Sequence, residues 1–196
     1  LTDEGYRLAE LGAADASATV LAQCKNMQTH IDYAVTRARA VAMRSTPGVV
    51  ADVNAAANEV ARALTRLYKT TEICIDVIVP DGIKVACDPQ DLNEMLANLV
   101  DNACKHAESR VKVSASNDLS DTLISLTVED DGPGLPPEAR AIVFNIGERW
   151  DTRKPGSGLG LPIVKDLAEL YGGDVRLTAA PNTGVSVTLR LPRAKL

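Results

Sequence analysis

Asp88-Pro89-Gln90-Asp91-Leu92-Asn93-Glu94-Met95-Leu96-Ala97-Asn98-Leu99-Val100-Asp101-Asn102-Ala103-Cys104-Lys105-His106 reads as one helix with two chemically different faces. Aspartate followed by proline is a helix start: the carboxylate can cap, and proline stands where its missing N–H costs little. Leu92, Met95, Leu96, Leu99 and Ala103 recur at helical spacing and form an apolar face. Glu94, Asn98, Asn102 and Lys105 lie within about 80° of one another at about 100° per residue, so a carboxylate, two carboxamides and an ammonium project as one column. A polar stripe by itself describes a solvated helix face. Asparagine is a moderately poor helix former, however, and a pair on one interior face is better explained by ligands than by propensity. A carboxamide oxygen alongside phosphate oxygens would suit magnesium, which prefers an octahedral oxygen shell and keeps waters.

Two glycine-bearing segments follow. Glu129-Asp130-Asp131-Gly132-Pro133-Gly134 comes directly off a predicted strand. There an acidic side chain can accept a hydrogen bond from a ligand amine while glycines let the backbone pass close to a flat ring. The same residues also suit an ordinary turn. Gly156-Ser157-Gly158-Leu159-Gly160-Leu161 opens a predicted helix, with Pro162 in its first turn. Backbone N–H groups at such a start point toward a negative group and add to the helix dipole, which is the physics of a phosphate cradle. No G-K-[ST] follows, and an irregular stretch separates the glycines from the preceding strand, so neither a Walker loop nor a Rossmann turn is met. Alone, such a cluster also describes a flexible linker.

Working outward, Val49 to Tyr68 is alanine-rich and helical in pattern, whereas Ile73 to Val79 and Ile83 to Cys87 alternate like strands around Pro80-Asp81-Gly82 and predict a hairpin. Val111 to Ser116, Leu123 to Glu129, Asp174 to Thr178 and Val185 to Leu191 are further strands, Leu159 to Leu170 is a helix, and a variable stretch spans Gly132 to Gly158. Runs of alternation mixed with helices predict an α+β sandwich. At the other end, Val20, Cys24, Met27, Ile31, Val35, Ala38 and Ala42 alternate steps of four and three, a heptad seam. Gly12 is placed to end a shorter piece, Leu1 to Leu11, so residues 1 to 45 read as two antiparallel helices, and Pro47-Gly48 marks a boundary. Two helices cannot cover such a seam, and pairing with a second copy is the economical solution. A helix packed on its own domain is the alternative.

The bulk numbers narrow the field. A chain of 196 residues, 45% hydrophobic and 24% charged, can bury one good core and carry a smaller appended element. With 21 Lys and Arg against 26 Asp and Glu, and only 3% aromatics, nucleic acid is not an expected partner. Cys24, Cys74, Cys87 and Cys104 form no C-x-x-C pair, which fits reduced thiols rather than a zinc or redox site. No apolar run approaches the roughly 18 residues of a membrane span. A cytoplasmic location is expected, with any membrane link confined to a segment upstream of Leu1.

Taken together, Glu94-x-x-x-Asn98-Leu-Val-Asp-Asn102-Ala-Cys-Lys105-His106, then Asp130-x-Gly132-x-Gly134, then Gly156-Ser-Gly158-Leu-Gly160-Leu resemble, in order and separation, the N, G1 and G2 boxes of the histidine-kinase ATPase domain, the Bergerat or GHKL fold. The resemblance covers about residues 49 to 196, with Phe144 at the position of the F box. It implies a mixed sheet packed on three helices, preceded by a helical hairpin. Residues 1–47 would then be part of a dimerisation and phosphotransfer hairpin, and residues 48–196 an ATP-binding catalytic domain.

The resemblance also implies roles. Asn98 would hold Mg2+, Asn102 and Lys105 would reach the phosphates of ATP, and His106 would line the nucleotide. Asp130 would receive the adenine amino group, beside a wall shaped by Gly132 and Gly134. Gly158, Leu159 and Gly160 would give main-chain contacts to phosphate, under a lid of residues 135 to 157 in which Arg149 and Lys154 approach the phosphates. Glu94 matches an acidic residue that activates water in related ATPases, and here would orient the magnesium's water shell. The implied activity is transfer of the ATP γ-phosphoryl group to a protein histidine, relayed to the receiver domain of a response regulator, by a homodimer. Neither His30, followed by Ile31 and Asp32, nor His106 has the family's acceptor pattern. The acceptor is expected upstream of Leu1, so that this chain binds ATP without labelling itself. Val187 stands where the family usually has phenylalanine. The competing readings are another GHKL ATPase, or a phosphotransfer dimer that no longer holds nucleotide.

Overall fold

Asp52 does two jobs: it ends the short strand β1 (Ala51–Asp52) and caps helix α1 (Val53–Leu67), its Oδ1 accepting from the Ala55 N–H at 2.9 Å. In the computed structural model the described residues are 49–116, 122–145, 158–181 and 183–194, together with Cys24, Met27, Ile31, Ala34, Val35 and Ala38. Helix α1 buries Val53, Ala56, Ala57, Val60, Ala61 and Leu64, the spacing of one helical face. Four further elements lead to the end of the first half: β2 (Cys74–Ile78), β3 (Lys84–Val85), α2 (Pro89–His106) and β4 (Arg110–Ser116). Then come β5 (Leu123–Asp130), α3 (Pro137–Ile142), α4 (Gly160–Leu170), β6 (Asp174–Ala179) and β7 (Val185–Pro192).

The main sheet has the order β2-β4-β5-β7-β6. Its β2–β4 pair is parallel and the others antiparallel. Helix α2 lies between α1 and α4 on the sheet. Its Leu92, Met95, Leu96 and Leu99 are buried with Val111, Val113, Ile124, Leu126, Leu189 and Leu191 of the strands and Val164 and Leu167 of α4. The α+β sandwich expected from the sequence holds, and the apolar face assigned to α2 is the one that is buried.

Three local expectations are corrected. The β2–β3 hairpin does not form: β2 pairs with β4, and β3 pairs with β1, Ala51 opposite Val85. Pro80-Asp81-Gly82 does turn, with Gly82 at φ +79°, but it redirects the chain to the start of α1, where the Val53 N–H donates to the Ile83 carbonyl at 3.0 Å. The first helix starts at Val53, not Val49, because Ala51 and Asp52 are used by β1. The stretch from Gly132 also contains a short helix, α3, opened by Pro136 and Pro137.

At the N-terminal end, Cys24, Met27, Ile31, Val35 and Ala38 of the heptad seam are helical and exposed, Met27 by 63% and Val35 by 62%. The rest of the expected hairpin, including Leu1 to Leu11, Val20, His30 and Ala42, lies outside the described residues.

Candidate functional site

Strand β5 buries alternate residues, Ile124, Leu126, Val128 and then Asp130, so the period-2 geometry of a strand carries a carboxylate to the helix side at the end of the sheet. A buried carboxylate needs hydrogen bonds. Asp130 Oδ1 accepts from the Gly132 N–H at 3.0 Å and the Val185 N–H at 3.3 Å. Glycine makes this collar possible. A Cβ on Gly132 would sit 2.2 Å from the His106 carbonyl oxygen, and one on Gly184 would sit 1.9 Å from the Asp130 carbonyl oxygen. The collar thereby brings the end of β5, the C-terminus of α2 and the start of β7 into contact.

Asp131, next in sequence, faces the loop after α2 instead. Its carboxylate accepts from the backbone N–H groups of Glu108, Ser109 and Arg110 and from the Ser109 hydroxyl at 2.7 Å. Partial burial acts to raise its pKa, but these donors outweigh it and hold the group well below the usual carboxylate range. Asp131 is therefore the clamp that fixes the α2–β4 connection against the Asp130 loop.

On α2, the Asn98 side-chain amide donates back to the Glu94 carbonyl at 2.9 Å, which turns its oxygen away from its own helix. That oxygen faces Gly160, the first residue of α4: a Cβ there would come within 3.0 Å of Asn98 Oδ1. Among the described residues, no side chain caps α4 at Leu159. Gly158 before it adopts φ +72°, a conformation that favours glycine, while Leu159 is buried and anchors the turn. The α2–α4 arrangement is tied at its far end, where Tyr171 Oη donates to the buried Asp91 at 2.5 Å.

The remaining predicted residues of α2 follow the column. Glu94, Asn102, Lys105 and His106 are half-buried. Lys105 pairs with Asp101, whose other oxygen accepts from Tyr68 Oη at 2.8 Å. Gly134 adopts φ +78° and packs against Gly184, a Cβ on it lying 3.2 Å from the Gly184 carbonyl oxygen. Phe144 is half-buried just after α3, and Val187 is in the core. Arg149, Lys154, Gly156 and Ser157 lie outside the described residues.

Sequence reasoning missed Gly184, Asp131 and Asp101. A glycine immediately before a strand was the available signal for the first, and an acidic residue on the flank of the polar column for the last.

The donor chemistry suits a hard cation: a carboxylate at Glu94 and an outward carboxamide oxygen at Asn98, facing a helix start where an added Cβ on Gly160 would come within 3.0 Å of that oxygen.

The family described as histidine kinase-, DNA gyrase B- and HSP90-like ATPase matches residues 87–195. The sensor protein kinase CarS of Pseudomonas aeruginosa is 39% identical over 130 residues, 66% of this chain and 29% of that protein. The sensor protein PhoQ of Escherichia coli K12 is 30% identical over 177 residues, 89% of this chain and 35% of that protein. The chain thus spans about a third of the length of the curated relatives it matches. Among solved structures, the mycobacterial sensor histidine kinase MprB superposes with a TM-score of 0.66 at 29% identity, covering 75% of this chain and 98% of that one.

Proposed function

This chain belongs to the histidine kinase-, DNA gyrase B- and HSP90-like ATPase family, and from that premise we propose that it is the ATP-binding catalytic part of a sensor histidine kinase. Residues 48–196 would form the catalytic domain and residues 1–47 part of the dimerising hairpin. The observation that carries the proposal is the approach of the Asn98 oxygen to Gly160 at the start of α4, since an oxygen there would ligate a metal ion beside a backbone suited to phosphate.

Each residue then has a task. Asp130, immobilised by the Gly132 and Val185 N–H groups, receives the adenine amino group, and Gly132 and Gly134 form the wall along the ring. The backbone N–H groups of Gly158, Leu159 and Gly160 bind phosphate oxygens, Asn102 and Lys105 bind them from α2, and His106 lines the pocket. Asn98 would hold magnesium, and Glu94 would orient water bound to it; the ion would supply neutralisation of phosphate charge. Arg149 and Lys154 add positive charge from the segment between α3 and α4. The chain's contribution to γ-phosphoryl transfer is accordingly positioning and electrostatics.

The acceptor is a histidine other than His30 and His106. The exposed Met27, Ile31 and Val35 support pairing with a second copy through the N-terminal helix, and the phosphoryl group then passes to an aspartate of a receiver domain. Calorimetric titration with ATP, with and without magnesium, tests the proposal. Asp130→Asn should weaken binding of ATP and adenosine alike. Wild-type affinity in that variant for both compounds would remove Asp130 from the site.

A further inference from the structure

Asp101 stands one turn before Lys105 on α2, about 40° from it around the axis at about 100° per residue, so both project on the same side. Asp101 Oδ2 pairs with the Lys105 ammonium, and Asp101 Oδ1 accepts from Tyr68 Oη at 2.8 Å. An exposed aspartate–lysine pair at this spacing is ordinarily a weak contact between two mobile side chains. Here the carboxylate is held from its other side, and its holder is itself fixed. The Tyr68 N–H donates to the Leu64 carbonyl at 2.8 Å at the end of α1. The Tyr68 carbonyl accepts from the Thr71 N–H at 3.0 Å and the Thr71 hydroxyl at 2.8 Å. Burial, reinforced by the bond to Asp101, pushes the Tyr68 phenol up, so it remains a protonated donor at any physiological pH.

We propose that Tyr68 and Asp101 are positioning residues for Lys105: the anchored phenol fixes the carboxylate, and the carboxylate holds the ammonium on the polar side of α2 before nucleotide arrives. The inference rests on the reading of Lys105 as a phosphate ligand. A lysine ammonium carries several N–H donors, so a bond to Asp101 is compatible with a simultaneous bond to a phosphate oxygen. Lysine also has much rotamer freedom to lose on binding, and a residue that removes this freedom beforehand raises affinity without touching the ligand.

Asp101 itself is an ambiguous probe, because Asp101→Asn removes both the brace and a negative charge that would repel phosphates. Tyr68→Phe is the decisive variant, since it removes only the hydroxyl. Calorimetry on the full chain with ATP and magnesium, and separately with adenosine, should show Tyr68→Phe losing about fivefold in ATP affinity with adenosine affinity unchanged, and Lys105→Met losing more. In a Lys105→Met background, Tyr68→Phe should have no further effect. The inference is overturned by wild-type ATP affinity in Tyr68→Phe, by an equal loss for adenosine, or by an undiminished loss in the Lys105→Met background. Wild-type ATP affinity in Lys105→Met would instead remove the reading of Lys105 as a phosphate ligand, and failure of the unaltered chain to bind ATP would remove the assignment of the pocket.

Discussion

Gly184 presses against Asp130 so closely that a single added methyl would lie 1.9 Å from the Asp130 carbonyl oxygen and 2.8 Å from its carboxylate. Gly184 also adopts φ +95°, which side-chain-bearing residues rarely take. Gly184→Ala should therefore lose at least about 2 kcal/mol of stability, from strain and from displacement of the β5 end. It should also weaken binding of any ligand that uses the Asp130 carboxylate. Urea unfolding alongside adenosine titration checks both effects.

Gly160 makes the opposite prediction about stability. It is the first residue of α4, and alanine is a better helix former than glycine by up to about 1 kcal/mol. Yet its Cβ would meet Asn98 Oδ1 at 3.0 Å. Gly160→Ala should melt at or slightly above the wild-type temperature while losing about tenfold or more in magnesium-dependent ATP affinity. Asn98→Ala should lose the magnesium dependence altogether. Differential scanning calorimetry and the ATP titration, run on the same preparations, separate the two effects.

Asp131 sets an acid limit. Its carboxyl titrates well below the ordinary value of 3.8, so its contribution is complete above that value and is lost as the pH falls below it. At neutral pH, Asp131→Asn should cost about 1–2 kcal/mol through weakened hydrogen bonds to a formerly charged acceptor. The gap between wild type and variant should hold above about pH 4 and narrow progressively as the pH falls from about 4 to about 2. Urea midpoints measured across that range would show it, and a gap constant with pH would contradict the role given to Asp131.

Reactivity should divide the thiols. Burial, aided by the negative charges of Asp91 and Asp88, pushes Cys87 up to about 12. Burial with the neighbouring Asp101 charge pushes Cys104 up to about 11. Thiolate is the reactive form, so iodoacetamide at pH 8 should label exposed Cys74 readily and leave Cys87 and Cys104 untouched until the chain unfolds. Peptide mapping by mass spectrometry reads this out. Labelling of Cys104 at the rate of Cys74 would contradict the packing of α2.

What was legible in the sequence had a local cause. The Asp88-Pro89 start and the 3.6-residue spacing of Leu92, Leu96 and Leu99 define α2 without reference to the rest of the chain, and the alternation in β5 and β7 is equally self-contained. The hairpin failed because Pro80-Asp81-Gly82 encodes a turn but not the partner of the strands it joins. The partner of β2, β4, lies beyond an entire helix, and the partner of β3, β1, precedes one. Helix α3 is too short for its periodicity to register. Gly184 and Asp131 escaped because their importance arises from contacts with residues distant in sequence: Val185 reaches Asp130 and Ser109 reaches Asp131 only once the sheet is formed.

The most direct measurement is a crystal of this chain grown with magnesium and a non-hydrolysable ATP analogue. The account predicts adenine against Asp130, phosphates at the main chain of Gly158 to Gly160, and a cation within coordination distance of Asn98. A well-ordered nucleotide bound elsewhere, or side chains filling the space between α2 and the start of α4, would contradict it.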